Sequence, residues 1–311
     1  MELWLALILF AVGLVLLVKG GDWFVDAAAS LAQAMGIPSF IIGATIVSLA
    51  TTMPELIVSV MAAVAGKTDM AVGNAVGSVT ANTALIMALS MLFLPVAMPR
   101  RAYAVPCMLL AAAAGVLQLG TQYGYLAFWA DIALAIIFAA FLHHSITAAR
   151  AQRQETSDDP AQERLGKPLG VFLVGTGGVV IGSRLLVVGG SAIAEALGVP
   201  ERVIAVTMVA IGTSLPELVT AITAIRKKEA ALSVGNIIGA NIIDLSLILP
   251  LCSAASGRLL PVAAASIRLD MPVCLFVTLL AILPALLRQR AGKLQGGLLL
   301  GVYLWYLLST V

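Results

Sequence analysis

Three short motifs occur twice in this chain, and each pair is separated by 162 positions. Gly36-Ile37-Pro38 returns as Gly198-Val199-Pro200. Thr51-Thr52-Met53-Pro54-Glu55 returns as Thr213-Ser214-Leu215-Pro216-Glu217. Gly73-Asn74-Ala75-Val76-Gly77 returns as Gly235-Asn236-Ile237-Ile238-Gly239. One register held without a gap across about forty residues marks a duplication, so the chain has to fold as two similar halves.

Those halves are too apolar for water. Of 311 residues 61% are hydrophobic and 11% charged, with a mean hydropathy of +1.05, whereas soluble domains carry about 25% charge. Apolar runs long enough to cross a bilayer recur throughout. Their breaks predict ten spans: 3–19, 39–65, 70–94, 102–119, 125–147, 168–193, 202–225, 230–254, 271–287 and 295–310. Glu2 precedes the first run and Lys19 follows it, the reverse of a signal peptide's charge order, which predicts a retained span. The polar stretch from Arg150 to Lys167 reads as a cytoplasmic hydrophilic linker. It divides a first transmembrane repeat, residues 1–149, from a second, residues 168–311.

Five spans per half is an odd number, so the second half is expected to lie inverted relative to the first. With both termini outside, thirteen Lys and Arg fall in inner loops and four in outer ones, as the positive-inside rule requires. The expected fold is all-α: ten transmembrane helices as two inverted five-helix repeats in an inner or plasma membrane. A net charge of +2 gives no reason to expect a nucleic-acid partner. Cys107, Cys252 and Cys274 lie in apolar runs without pairing motifs and read as packing residues.

An ionised carboxylate at mid-bilayer costs roughly 2.5–3.5 kcal/mol even on lenient scales. Glu55 and Glu217 nevertheless sit near the middle of the second and seventh spans. Each follows a proline and a pair of hydroxyl residues, Thr51-Thr52 and Thr213-Ser214. Proline frees a backbone carbonyl, so a broken helix presenting carbonyls, hydroxyls and a carboxylate at one depth is expected. Hard cations prefer such oxygens. Asn82 follows Glu55 by 27 residues, Asp244 follows Glu217 by the same interval, and Ser78 lies one turn before Asn82. Asn74, Asn236 and Asn241 read as interhelical hydrogen-bond partners. Asp22, Asp26, Asp131 and Arg184 read as interface anchors, and His143 and His144 as the inner end of the fifth span.

The segments Ser48–Glu55 with Gly73–Asn82, and Ala210–Glu217 with Gly235–Asp244, resemble the two alpha-repeats of the cation/Ca²⁺ exchanger superfamily. The resemblance covers both halves, the ten spans and the central loop, and it implies antiport with Na⁺ and Ca²⁺ as substrates and no cofactor. It also implies a set of ligands. Glu55 and Glu217 would be central to both ions, and Thr51 and Thr213 would lend carbonyls to Ca²⁺. Thr52, Ser214, Ser78 and the carbonyls of Ser48 and Ala210 would serve Na⁺, with Asn82 and Asp244 completing the middle. Val79 and Ala240 depart from the family pattern by removing an Asn and a hydroxyl. The Asn82/Asp244 asymmetry resembles the K⁺-independent, prokaryotic Na⁺/Ca²⁺ type.

Beside two glutamates, a third carboxylate at Asp244 is expected to carry its proton and behave like Asn82. An H⁺-coupled antiporter of the same fold is the nearest alternative. An intramembrane enzyme is more remote, because the two histidines are adjacent and no H-E-x-x-H motif exists.

Overall fold

The computed structural model describes residues 2–156, 166–198 and 214–310. Among these it has ten helices: α1 (Leu3–Met35), α2 (Ser39–Val64), α3 (Thr68–Phe93), α4 (Arg100–Gly120), α5 (Phe128–Thr156), α6 (Gly166–Ala196), α7 (Leu215–Arg226), α8 (Ala230–Ser256), α9 (Ser266–Arg288) and α10 (Lys293–Thr310). Eight are long and apolar enough to cross a membrane. The other two are α7, with 12 residues, and α10, with 18. Large apolar side chains face outward on the peripheral helices, Val15 at 60% and Ile136 at 62% exposure. In a bilayer such a surface is solvated by acyl chains.

The repeated motifs have local structural meanings. Gly36 adopts φ 63°, with Ile37 N–H bonded to Ala32 O and Gly36 N–H to Gln33 O. This is a helix stop that glycine allows at no steric cost. Gly198 repeats it at φ 78°, its N–H on Glu195 O. Pro38, two residues after Gly36, caps the start of α2 at Ser39.

The 162-residue register reappears in the elements. The α-helical start of α3, Thr68–Ala81, matches that of α8, Ala230–Ile243. Each then widens into a π turn, at Asn82–Met87 and Asp244–Ile248. The loops are joined in a reciprocal way. Val96–Ala97, between α3 and α4, pair antiparallel with Arg290–Ala291, between α9 and α10. Tyr125, between α4 and α5, bridges to Pro261, between α8 and α9.

The first helix of each half packs against the other along most of its length. A Cβ at Gly13 would lie 2.6 Å from Leu186 N, at Gly20 2.8 Å from Val179 N, and at Gly182 2.7 Å from Leu17 N. Paired numbers rise on one helix as they fall on the other, so α1 and α6 run antiparallel, backbone against backbone.

Three expectations change. The first span does not stop at residue 19, because α1 runs on to Met35 with Gly21, Phe24, Val25, Ala28 and Leu31 buried. The buried face continues past Lys19, and a charge on the opposite face does not end a helix. The linker is shorter than 150–167 suggests: α5 extends to Thr156 and α6 begins at Gly166. His143 and His144 therefore lie within a helix. Finally, α2 is unbroken at Pro54. Its irregularity is a π turn at Gly43–Val47, well before the proline. Pro216 lies in the first turn of α7, where an absent N–H costs nothing.

Candidate functional site

Ser48, Thr51, Thr52 and Glu55 on α2 are spaced i, i+3, i+4, i+7, which puts them on one helix face. All four are buried, whereas Leu49, Met53 and Ile57 on the other face are 40–47% exposed. α2 is thus amphipathic in the reverse sense, polar inward and apolar toward lipid. Ser214 and Glu217 take equivalent inward places at the start of α7, and both are buried. Asn82 and Asp244 open the π turns of α3 and α8. A π turn inserts a residue and re-aims the side chains beyond it, a device frequent at functional sites.

The glycines of the third motif bring the walls together. A Cβ at Gly235 would sit 2.3 Å from Phe40 O, and one at Gly239 2.2 Å from Ala44 O. Only a bare backbone lets α8 approach the π turn of α2 this closely.

Hydrogen bonds then cross between the halves. Thr52 Oγ1 donates to Glu217 Oε1 at 3.4 Å, and Ser214 Oγ to Ser78 Oγ at 3.4 Å. Thr51 Oγ1 donates to Asn236 Oδ1 at 3.2 Å, and Asn241 Nδ2 to Thr83 Oγ1 at 2.8 Å. Asn74 Nδ2 donates to Ser59 Oγ at 2.9 Å and Glu55 O at 3.4 Å, within the first half. The asparagines brace helices. Thr83 and Ser59 had no motif to mark them in the sequence; their only signal is a hydroxyl inside an apolar run.

What these bonds leave over defines the chemistry. Both Glu55 oxygens, both Asp244 oxygens, Glu217 Oε2, Asn82 Oδ1 and Asn241 Oδ1 are buried without a hydrogen-bond partner. Glu55 lies within electrostatic reach of Glu217 and Asp244. Among the described residues no Lys or Arg is buried, so no protein cation balances them. Nor do three His, Cys, Asp or Glu side chains there gather tightly enough to hold a metal by themselves. The arrangement is two or more carboxylates extended by neutral amide and hydroxyl oxygens, a donor set suited to hard cations and not to zinc.

Of the residues expected at the site, Ser48, Thr51, Thr52, Glu55, Ser78, Asn82, Ser214, Glu217 and Asp244 are all buried inside the protein. Ala210 and Thr213 lie outside the described residues. Asp131 is buried and accepts a bond from Ser253 at 3.0 Å, so it is not a surface anchor. Asp22 and Asp26 form ion pairs with Arg226 and Lys227 at the end of α7.

Buried acceptor oxygens held between the two halves of an all-helical membrane protein define a cation transporter rather than an enzyme. The model of the sodium/calcium exchanger protein family matches residues 5–147 and 167–311, and the chain is a member of that family. It is 34% identical to the putative antiporter CaxA of Alkalimonas amylolytica over 97% of both chains. It is 28% identical to the sodium/calcium exchanger MaX1 of Methanosarcina acetivorans, over 96% of this chain and 97% of that one. Among solved structures, the sodium-calcium exchanger NCX_Mj soaked with Na⁺ and Sr²⁺ superimposes with a TM-score of 0.87. That match has 28% identity and covers 99% of each chain.

Proposed function

We propose that this protein exchanges Na⁺ for Ca²⁺ across the membrane by alternating access, through two inverted five-helix repeats. The observation that carries the reading is the set of buried, unpartnered acceptor oxygens around Glu55, Glu217, Asn82 and Asp244. Anionic oxygens so placed need a positive load, and one Ca²⁺ or two Na⁺ would each neutralise the glutamate pair. Because both loads use the same carboxylates, one leaves as the other binds, and that is the coupling of an antiporter.

Further support is structural. Antiparallel α1 and α6, reciprocal loop pairing and the common 162-residue register fit inverted repeats. MaX1 and NCX_Mj are themselves described as sodium/calcium exchangers. In this reading Thr51 and Thr213 lend carbonyls to Ca²⁺. Thr52, Ser214, Ser78 and the carbonyls of Ser48 and Ala210 serve Na⁺. Asn82 and a protonated Asp244 fill the middle. The bias of basic residues supports a cell membrane with both termini outside.

Proton coupling is the second reading, because the same buried carboxylates can carry H⁺, and CaxA is named only as a putative antiporter. ⁴⁵Ca²⁺ uptake into proteoliposomes loaded with Na⁺, with K⁺, or with an acid interior decides between them. Uptake that requires internal Na⁺ is the expected result; uptake that follows the proton gradient and ignores Na⁺ overturns the coupling ion. An infrared titration tests Asp244, which is expected to show a protonated carboxyl band at neutral pH.

A further inference from the structure

Among the described residues, all three ion pairs fall in one place, where α1 meets the last turn of α7. Lys227 Nζ lies 2.6 Å from Asp26 Oδ1 and 3.9 Å from Asp22 Oδ1. It also donates to the Asp22 backbone carbonyl at 3.1 Å. Arg226 adds a contact of 3.7 Å to Asp22. Gly21 lets the two helices touch beside this cluster: a Cβ there would lie 2.8 Å from Val219 Cγ1 and 3.1 Å from Thr223 Oγ1. The helix held in this way is the one that carries Ser214 and Glu217.

The duplication makes the cluster informative. The 162-residue register carries Asp22 onto Arg184, Asp26 onto Val188, Arg226 onto Val64 and Lys227 onto Ala65. The mirrored position therefore has one arginine and no acid to meet it. Arg184 is exposed and makes no ion pair among the described residues. A feature that symmetry would place at both ends is present at one.

We propose that Asp22, Asp26, Arg226 and Lys227 form a one-sided ion-pair latch that biases the two conformations of the transport cycle toward the one with this end closed. The inference rests on the alternating-access reading above. Two matched halves give two end states of similar free energy, and an interaction made in only one state sets their ratio. Exposed ion pairs contribute little, but Lys227 and Asp22 are only 25% and 26% exposed and four charges act together. The expected effect is a two- to ten-fold change in the population ratio. Asp26 is 64% exposed, so salt weakens the latch.

The test is a distance distribution, read by double electron–electron resonance in nanodiscs. Spin labels go on Gln33→Cys, near the end of α1, and Thr147→Cys, on α5. Both sites are exposed, and the native Cys107, Cys252 and Cys274 are buried. Asp26→Asn and Lys227→Gln are each expected to move population from the wild-type distance to a second one. Lys227→Arg keeps the wild-type distribution, and about 1 M salt on the wild type reproduces the shift. Distributions that stay unchanged in both neutralised variants and in high salt overturn the latch. The measurement uses neither Na⁺ nor Ca²⁺ gradients, so uptake that follows protons instead of Na⁺ would overturn the coupling ion while the distance distributions still decide the latch.

Discussion

Thr52 on α2 donates its hydroxyl to Glu217 Oε1 on α7 at 3.4 Å, a bond between residues 165 positions apart. It ties the hydroxyl pair of one half to the carboxylate of the other, so neither half completes its polar cluster alone. Glu55 has no such partner for either oxygen. The two equivalent glutamates thus stand in different surroundings, one braced and one free to meet a cation.

On the proposed function, Glu55→Gln and Glu217→Gln each remove a charge that the transported ion would balance. Truncating one partner of a buried charge pair costs about 2–5 kcal/mol, so ⁴⁵Ca²⁺ uptake is expected to fall by roughly 30-fold or more. Ca²⁺ at a hundred times its Kd stabilises the native protein by about 2.7 kcal/mol. Melting in detergent with and without Ca²⁺ should show this shift in the wild type and its loss in both variants. In chelator the variants should melt at or above the wild type, since an uncompensated buried charge has gone.

Thr52→Val keeps the side chain's shape and deletes one donor to Glu217. Hydrogen bonds to charged groups contribute about 1.5–3 kcal/mol, and at 3.4 Å the lower end applies. Half-maximal Na⁺ activation of uptake is expected to move up by roughly ten-fold, while the folded protein survives. An unchanged Na⁺ dependence would mean that this bond has no part in ion binding.

Gly239→Ala drives a methyl group to 2.2 Å from Ala44 O and 2.6 Å from Ser48 Oγ. The helices carrying Ser48 and Asp244 must separate, at a cost of about 1–3 kcal/mol. A lowered melting temperature and weakened Ca²⁺ uptake should appear together. The control is Gly297→Ala on α10, where nothing lies within 4 Å of the new Cβ. There the melting temperature should hold or rise, because alanine is the better helix former.

Ala240 occupies the place that Ser78 fills in the first half, and it is fully buried. Ala240→Ser supplies the absent hydroxyl. An added hydrogen-bonding oxygen contributes about 1 kcal/mol, so the Na⁺ concentration for half-maximal exchange should fall by roughly five-fold. The Ca²⁺ concentration dependence should stay where it was.

Much of this protein is written in local spacing. The duplication, the apolar runs, and the inward placing of Thr51, Thr52 and Glu55 in one half and of Ser214 and Glu217 in the other follow from residue type and spacing alone. Each depends on a residue's own chain neighbours, and one helical turn is enough to define an inward face. The carboxylates were legible for a related reason: a charge in an apolar run is costly wherever the run goes.

Other features required the packed structure. The π turns at Asn82 and Asp244 leave no mark on composition, because a single inserted residue changes phase without changing the pattern. The length of α1 was hidden because Lys19, Asp22 and Asp26 look like a helix end until Lys227 and Arg226, more than 200 residues away, arrive to pair with the acids. Which hydroxyl meets which carboxylate was likewise undetermined until glycine-lined backbones closed to contact. Periodicity names the face a helix turns inward, and only the approach of a second backbone decides what that face meets.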